Sequence, residues 1–119
     1  MVIDLKSALA HLPLPATSVW PEGVWDKTLF EHGTMSVLIF TPRGRDYQTK
    51  HSQDELYIIV KGSGTLLIAD TPHDFSEGDA LFVPAETPHR FTDFADDLIT
   101  WAIFWGPAGG EASHKEHTP

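Results

Sequence analysis

The sequence predicts an all-β fold, a sandwich or barrel of short strands. Three observations predict it. Short β-branched and aromatic runs recur along the chain, Gly, Pro and Asp punctuate them at close intervals, and helical periodicity is confined to one place near the N-terminus. With 119 residues there is room for one domain, and 41% hydrophobic residues can build its core.

The elements follow in order. Residues 4–12 carry Leu5, Leu9 and Leu12 at helical spacing, with Asp4 as N-cap and Pro13 and Pro15 as terminators. Residues 16–33 space Trp20, Trp25 and Phe30 with Pro, Gly and charge, which predicts short irregular strands. Glu31-His32-Gly33 reads as a turn. Residues 34–41 are apolar on both alternating faces, as in a wall covered on each side. Strands are then expected at Leu56–Val60, Thr65–Ala69, Ala80–Val83, His89–Thr92 and Leu98–Trp105. Lys61-Gly-Ser-Gly64 reads as a hairpin, Asp70-Thr-Pro-His-Asp74 as a turn, and His73 there as a solvated side chain. The resulting organisation is an N-terminal helix or arm (1–20), the barrel (21–106) and a flexible tail (107–119). His114 and His117 lie in that tail, where an unstructured terminus is expected.

Composition excludes several roles. A formal charge of −9 argues against nucleic acid and anionic membranes as partners. Without cysteine there are no disulfides and no thiolate metal sites. Neither a signal-like segment nor an apolar run of membrane-spanning length is present, so the expectation is a soluble, cytoplasmic protein.

The chemistry is expected where a polar segment enters a core strand. Thr49, His51, Gln53, Glu55 and Tyr57 alternate, so a continuous strand would place them on one face. It would also separate His51 and Glu55 by roughly 13 Å, too far to share one ion at about 2.1 Å per ligand. Ser52-Gln53-Asp54 must therefore bend if the two side chains meet. His89 follows Pro88, which stiffens its approach. Two imidazoles and a carboxylate suit Fe(II), Mn(II), Zn(II), Ni(II) or Co(II) and leave open coordination positions. The competing reading pairs Glu55 with His51 or His89 without metal. Tyr57 and Gln53 are the candidates for proton transfer. Asp93, Asp96 and Asp97 lack the spacing of a calcium loop.

These residues also carry a family resemblance. Thr49-x-His51-x3-Glu55-x6-Gly62 is similar to the second half of the first cupin motif. Gly78-x5-Pro84-x-Glu86-x2-His89-x3-Asp93 is similar to the second motif. The chain thus resembles the small single-domain members of the cupin superfamily. The resemblance implies a jelly-roll barrel, or double-stranded β-helix, with a short N-terminal helix. It also implies metal-ligand roles for His51, Glu55 and His89, a small-molecule ligand or substrate, and a homodimer for which Trp20, Trp25, Trp101, Phe104 and Trp105 offer apolar surface. Thr49 stands where the family has its first histidine, Glu86 where it has a glycine and Asp93 where it has an asparagine. The fourth ligand is therefore absent, or is replaced by Gln48, Gln53, Thr49 or water. Two functions remain open: a metal-dependent enzyme such as a dioxygenase or isomerase, and a non-catalytic ligand-binding module.

Overall fold

The computed structural model describes residues 1–112. One short helix, α1 (Leu5–Ala10), precedes eight strands: β1 (Asp26–His32), β2 (Met35–Phe40), β3 (Asp54–Lys61), β4 (Gly64–Ile68), β5 (Thr71–Phe75), β6 (Ala80–Val83), β7 (His89–Phe94) and β8 (Ile99–Trp105). They form a five-stranded sheet, β1-β2-β8-β3-β6, and a three-stranded sheet, β5-β4-β7. All ladders are antiparallel. The all-β jelly-roll expectation holds, with its N-terminal helix. Asp4 caps that helix by accepting from the Ser7 N–H at 2.9 Å.

Alternation along β3 decides what faces inward. Glu55, Tyr57 and Ile59 are buried, while Leu56, Ile58 and Val60 are only half-buried. Register carries that inner face across the sheet. Glu55 lies opposite Phe104 and Val83, and Tyr57 opposite Ala102 and Leu81. The second sheet closes over this face with Leu66, Phe75 and Phe91. Phe91 is the hub, with ring centroids 5.1 Å from Tyr57, 5.4 Å from Phe75 and 6.0 Å from Phe40. Tilted and edge-on contacts of this kind stabilise beyond area burial alone.

Three local expectations are corrected. The Lys61–Gly64 segment is not a hairpin, because the chain changes sheet there and β3 does not pair with β4. Gly64 lies so close to the Asp93–Phe94 backbone that a Cβ would collide with it, and no other residue fits. Residues Asp70–Asp74 are not a turn. The turn is Ala69-Asp70, both at positive φ (46° and 68°), and Thr71–Phe75 is the edge strand β5. Solvent hides the alternation of β5, since only Phe75 is buried, and an edge position tolerates Pro72. His73 is exposed on it. Finally, Glu31 and His32 belong to β1, and the turn begins at Gly33.

The described part of the expected tail is tied down. Gly109 N–H donates to the Ser52 carbonyl and Glu111 N–H to Asp54 Oδ2 at 3.0 Å. His114 and His117 lie outside the described residues. No helix among the described residues is long and apolar enough to cross a membrane.

Candidate metal centre

The bend required between His51 and Glu55 is present. Ser52 and Gln53 leave extended geometry, and β3 begins only at Asp54. Several contacts clamp it. Gln53 Nε2 donates to the carbonyls of Thr34 (3.0 Å) and Gly106 (2.9 Å). Buried Asp54 accepts from the Ala85 N–H at 2.9 Å as well as from Glu111. Glu86 N–H donates to the His51 carbonyl at 2.6 Å from a backbone at φ 62°, the left-handed region for which the resembled motif keeps glycine. The residues after β6 thereby hold the residues before β3.

As a result His51, Glu55 and His89 meet, and one ligand atom from each lies within 4.8 Å of the others. Glu55 Oε1 is 3.0 Å from His89 Nε2 and 3.8 Å from His51 Nε2. All three atoms are buried, and none makes a hydrogen bond. His89 Nδ1 lies 2.8 Å from the Thr87 carbonyl. A carbonyl only accepts, so Nδ1 carries the proton and Nε2 of the neutral ring presents a lone pair. A lone pair facing a carboxylate oxygen at 3.0 Å calls for a positive charge beside both. A proton is one answer, but the contact lacks hydrogen-bond alignment. A divalent cation is the other, and it also uses His51 Nε2. The donor set fits a metal on this observation.

Titration follows the same geometry. Burial lowers the His51 pKa, and the Glu55 and Asp46 carboxylates only partly offset it. Burial also acts to lower His89, but its contacts with Glu55 and the Thr87 carbonyl, with the fields of Glu55 and Asp46, outweigh that and raise it. The Tyr57 phenol is pushed well up, first by complete burial and then by the neighbouring carboxylates.

Around the group lies a cavity of about 320 Å³ lined by Trp20, Asp26, Phe40, Tyr57 and Phe104 together with His51 and Glu55. Phe104 meets the His51 ring edge-on, with centroids 4.6 Å apart. Tyr57 OH donates to Gln48 Oε1 at 2.9 Å, and the Gln48 amide donates to Asp46. Asp46 also accepts from the Phe91 N–H at 2.8 Å. Of the proton-transfer candidates, Tyr57 lines the cavity, while the Gln53 amide is spent on two backbone carbonyls beside the bend. Among the suggested substitutes for a fourth ligand, Gln48 and Gln53 are likewise engaged, and Thr49 sits exposed at the rim.

Sequence reasoning missed Asp46 and Asp26. Asp46 carried a signal, since Asp-x-Gln there forms a local turn in which Gln48 N–H donates to Asp46 Oδ1 at 3.0 Å. Asp26 carried none. It reaches the cavity because β1 pairs with β2 in a register that sets Asp26 against Phe40.

Comparison with known proteins agrees with this fold. The model of the family described as "Cupin domain" matches residues 36–99. An uncharacterized protein of Streptomyces coelicolor, SCO3923, is 31% identical over 62 residues, 52% of this chain and 59% of that protein's length, so the match spans less than two thirds of the relative. Among solved structures, protein NMB1881 of Neisseria meningitidis superposes with a TM-score of 0.65 at 20% identity, covering 89% of this chain and 100% of that one. The DMSP lyase DddQ of Ruegeria pomeroyi DSS-3 superposes with a TM-score of 0.60 at 20% identity, covering 68% of this chain and 46% of that one. At such identities the likeness speaks to the fold.

Proposed function

The chain belongs to the Cupin domain family, and from that premise we propose that it is a metal-dependent enzyme acting on a small polar organic molecule. The observation that supports this reading is the set of three buried donor atoms, His51 Nε2, Glu55 Oε1 and His89 Nε2, converging without hydrogen bonds at the wall of a cavity. His51, Glu55 and His89 would hold a divalent ion of iron, manganese, zinc or nickel. Such an ion supplies Lewis acidity toward a substrate oxygen. The chain's own residues do the rest. Phe104 and Tyr57 exclude water, Thr87 fixes the His89 tautomer, and Gln48 holds the Tyr57 hydroxyl. Proton transfer by Tyr57 requires its bond to Gln48 to be exchanged for one to substrate.

The test is the metal content of freshly purified protein. Near-stoichiometric metal in the wild type, lost in His51→Ala, supports the site. No metal after reconstitution with each of the four ions sinks it. Thr49 at the position of the family's first histidine favours the second reading, a non-catalytic ligand-binding module, which predicts ligand retention with no turnover.

A homodimer is proposed on a separate observation. Leu56, Ile58, Phe82, Trp101, Ile103 and Trp105 share the outward face of the five-stranded sheet, and Phe82 is 51% exposed. Sedimentation of the wild type as a monomer would end that proposal, and Phe82→Glu is expected to yield monomers.

A further inference from the structure

The cavity wall away from the three donors has a composition of its own. Trp20 and Phe40, edge-on with ring centroids 6.3 Å apart, supply aromatic surface, Leu38 and Ala102 aliphatic surface, and Asp26, opposite Phe40 in the β1–β2 register, a carboxylate. Asp26 has no hydrogen-bond or ion-pair partner among the described residues. A carboxylate half-buried among apolar groups without a partner is unfavourable unless something else satisfies it.

The charge count points to what that is. Asp26 and Glu55 line the cavity, and among the described residues no Lys or Arg does. Asp46 stands behind Gln48 and adds to the negative field at Asp26. The cations Lys50 and Arg90 line a different cavity, which shares Gln48 and Thr49 with this one. A bound divalent ion would be balanced in part by Glu55, and the far wall would remain negative. A phosphate or second carboxylate on a ligand would find no counter-ion at that wall. A positive group would find both a carboxylate and aromatic faces, the combination that favours organic cations. The formal charge of −9 draws cations toward the protein in the same sense.

We infer that the cavity takes an organic ammonium cation, its charge held between Asp26 and the rings of Trp20 and Phe40, with the remainder of the molecule extending toward His51 and Glu55. This deepens the proposal above, since it rests on that cavity being the substrate site. Burial, followed by repulsion from Asp46, raises the Asp26 pKa, and a bound cation relieves both effects.

The probes are choline and its neutral isostere 3,3-dimethylbutan-1-ol, titrated into zinc-loaded and metal-free protein and followed by NMR shifts. Both carry the same hydroxyl, so any contact with the metal is common to the two. The expected result is choline binding about tenfold tighter than the alcohol, with a preference that weakens as salt is raised. In Asp26→Asn the preference falls to within about twofold while the alcohol's affinity is kept, which shows the cavity intact. The preference is expected in metal-free protein too, so a failure to load zinc counts against the metal centre and leaves this result readable. Equal binding of the two probes to wild type, binding of neither, or a salt-independent preference overturns the inference. So does a preference undiminished in Asp26→Asn.

Discussion

At one end of the cavity nearly every polar group is oriented by a neighbour. Thr87 holds His89 Nδ1, and Phe91 and Gln48 hold Asp46. Gln48 in turn holds Tyr57, and Phe104 flanks His51. The three converging donor atoms are left without bonds. At the other end Asp26 stands on β1 with no partner among the described residues. In the proposed reading the first end is prepared for a small ion of fixed geometry. The second offers charge without fixed directionality, which suits a diffuse cation. Buried polar groups that are fully supported specify one structure, and those left open specify a ligand.

The largest effect is expected where the ordered end loses a donor. In Glu55→Gln the carboxylate charge goes but the shape stays. Metal affinity should fall at least a hundredfold, measured by competition with a chromogenic chelator. Retained affinity would mean that the ion, if bound, lies elsewhere. The apparent affinity should also rise with pH. His89 holds its proton more tightly than an ordinary histidine, so an ion must displace that proton. The gain is up to about tenfold per pH unit below the His89 pKa and levels off above it, where the ring is already neutral. A flat profile across that range would remove His89 from the ligand set.

Next comes the support beneath that end. Asp46→Ala removes the acceptor of the Phe91 N–H and of two Gln48 donors, leaving a buried N–H without a partner. Destabilisation of about 2–4 kcal/mol is expected in urea unfolding. Metal affinity should fall by about tenfold as Gln48 and Tyr57 lose their orientation. Loss of stability without loss of affinity would separate the core from the site.

How much of this was readable in the chain depends on how local the cause is. That His51, Glu55 and His89 meet was legible from the two motifs and their resemblance, and the bend at Ser52-Gln53 that their meeting requires followed from a distance argument. The role of Gln53 was not legible. Its amide is used by Thr34 and Gly106, whose approach depends on β8 pairing with both β2 and β3. Edge strand β5 escaped because periodicity reports burial, and β5 is exposed over most of its length. Asp26 escaped for a related reason. Its inward position is set by the β1–β2 register, and β1 carries a bulge between Thr28 and Phe30 that breaks simple parity.

The smallest effect is expected at the open end, and its sign is opposite to the others. The folded-state pKa of Asp26 lies above the ordinary 3.8, chiefly through burial and then through Asp46. As pH rises through 3.8 the unfolded chain ionises first, and the folded state loses stability until Asp26 itself ionises. Above that point the penalty is constant. Asp26→Asn never ionises and keeps nearly the same shape, so in metal-free protein it should melt a few degrees higher than wild type at pH 7. At pH 3, where Asp26 is mostly protonated in the folded and the unfolded chain alike, the two should melt together. A substitution that stabilises the fold while abolishing the preference for choline would identify Asp26 as a residue kept for its ligand at the expense of stability. A lower melting temperature at pH 7 would show instead that the carboxylate has a partner inside the protein, and the two ends of the cavity would then be built alike.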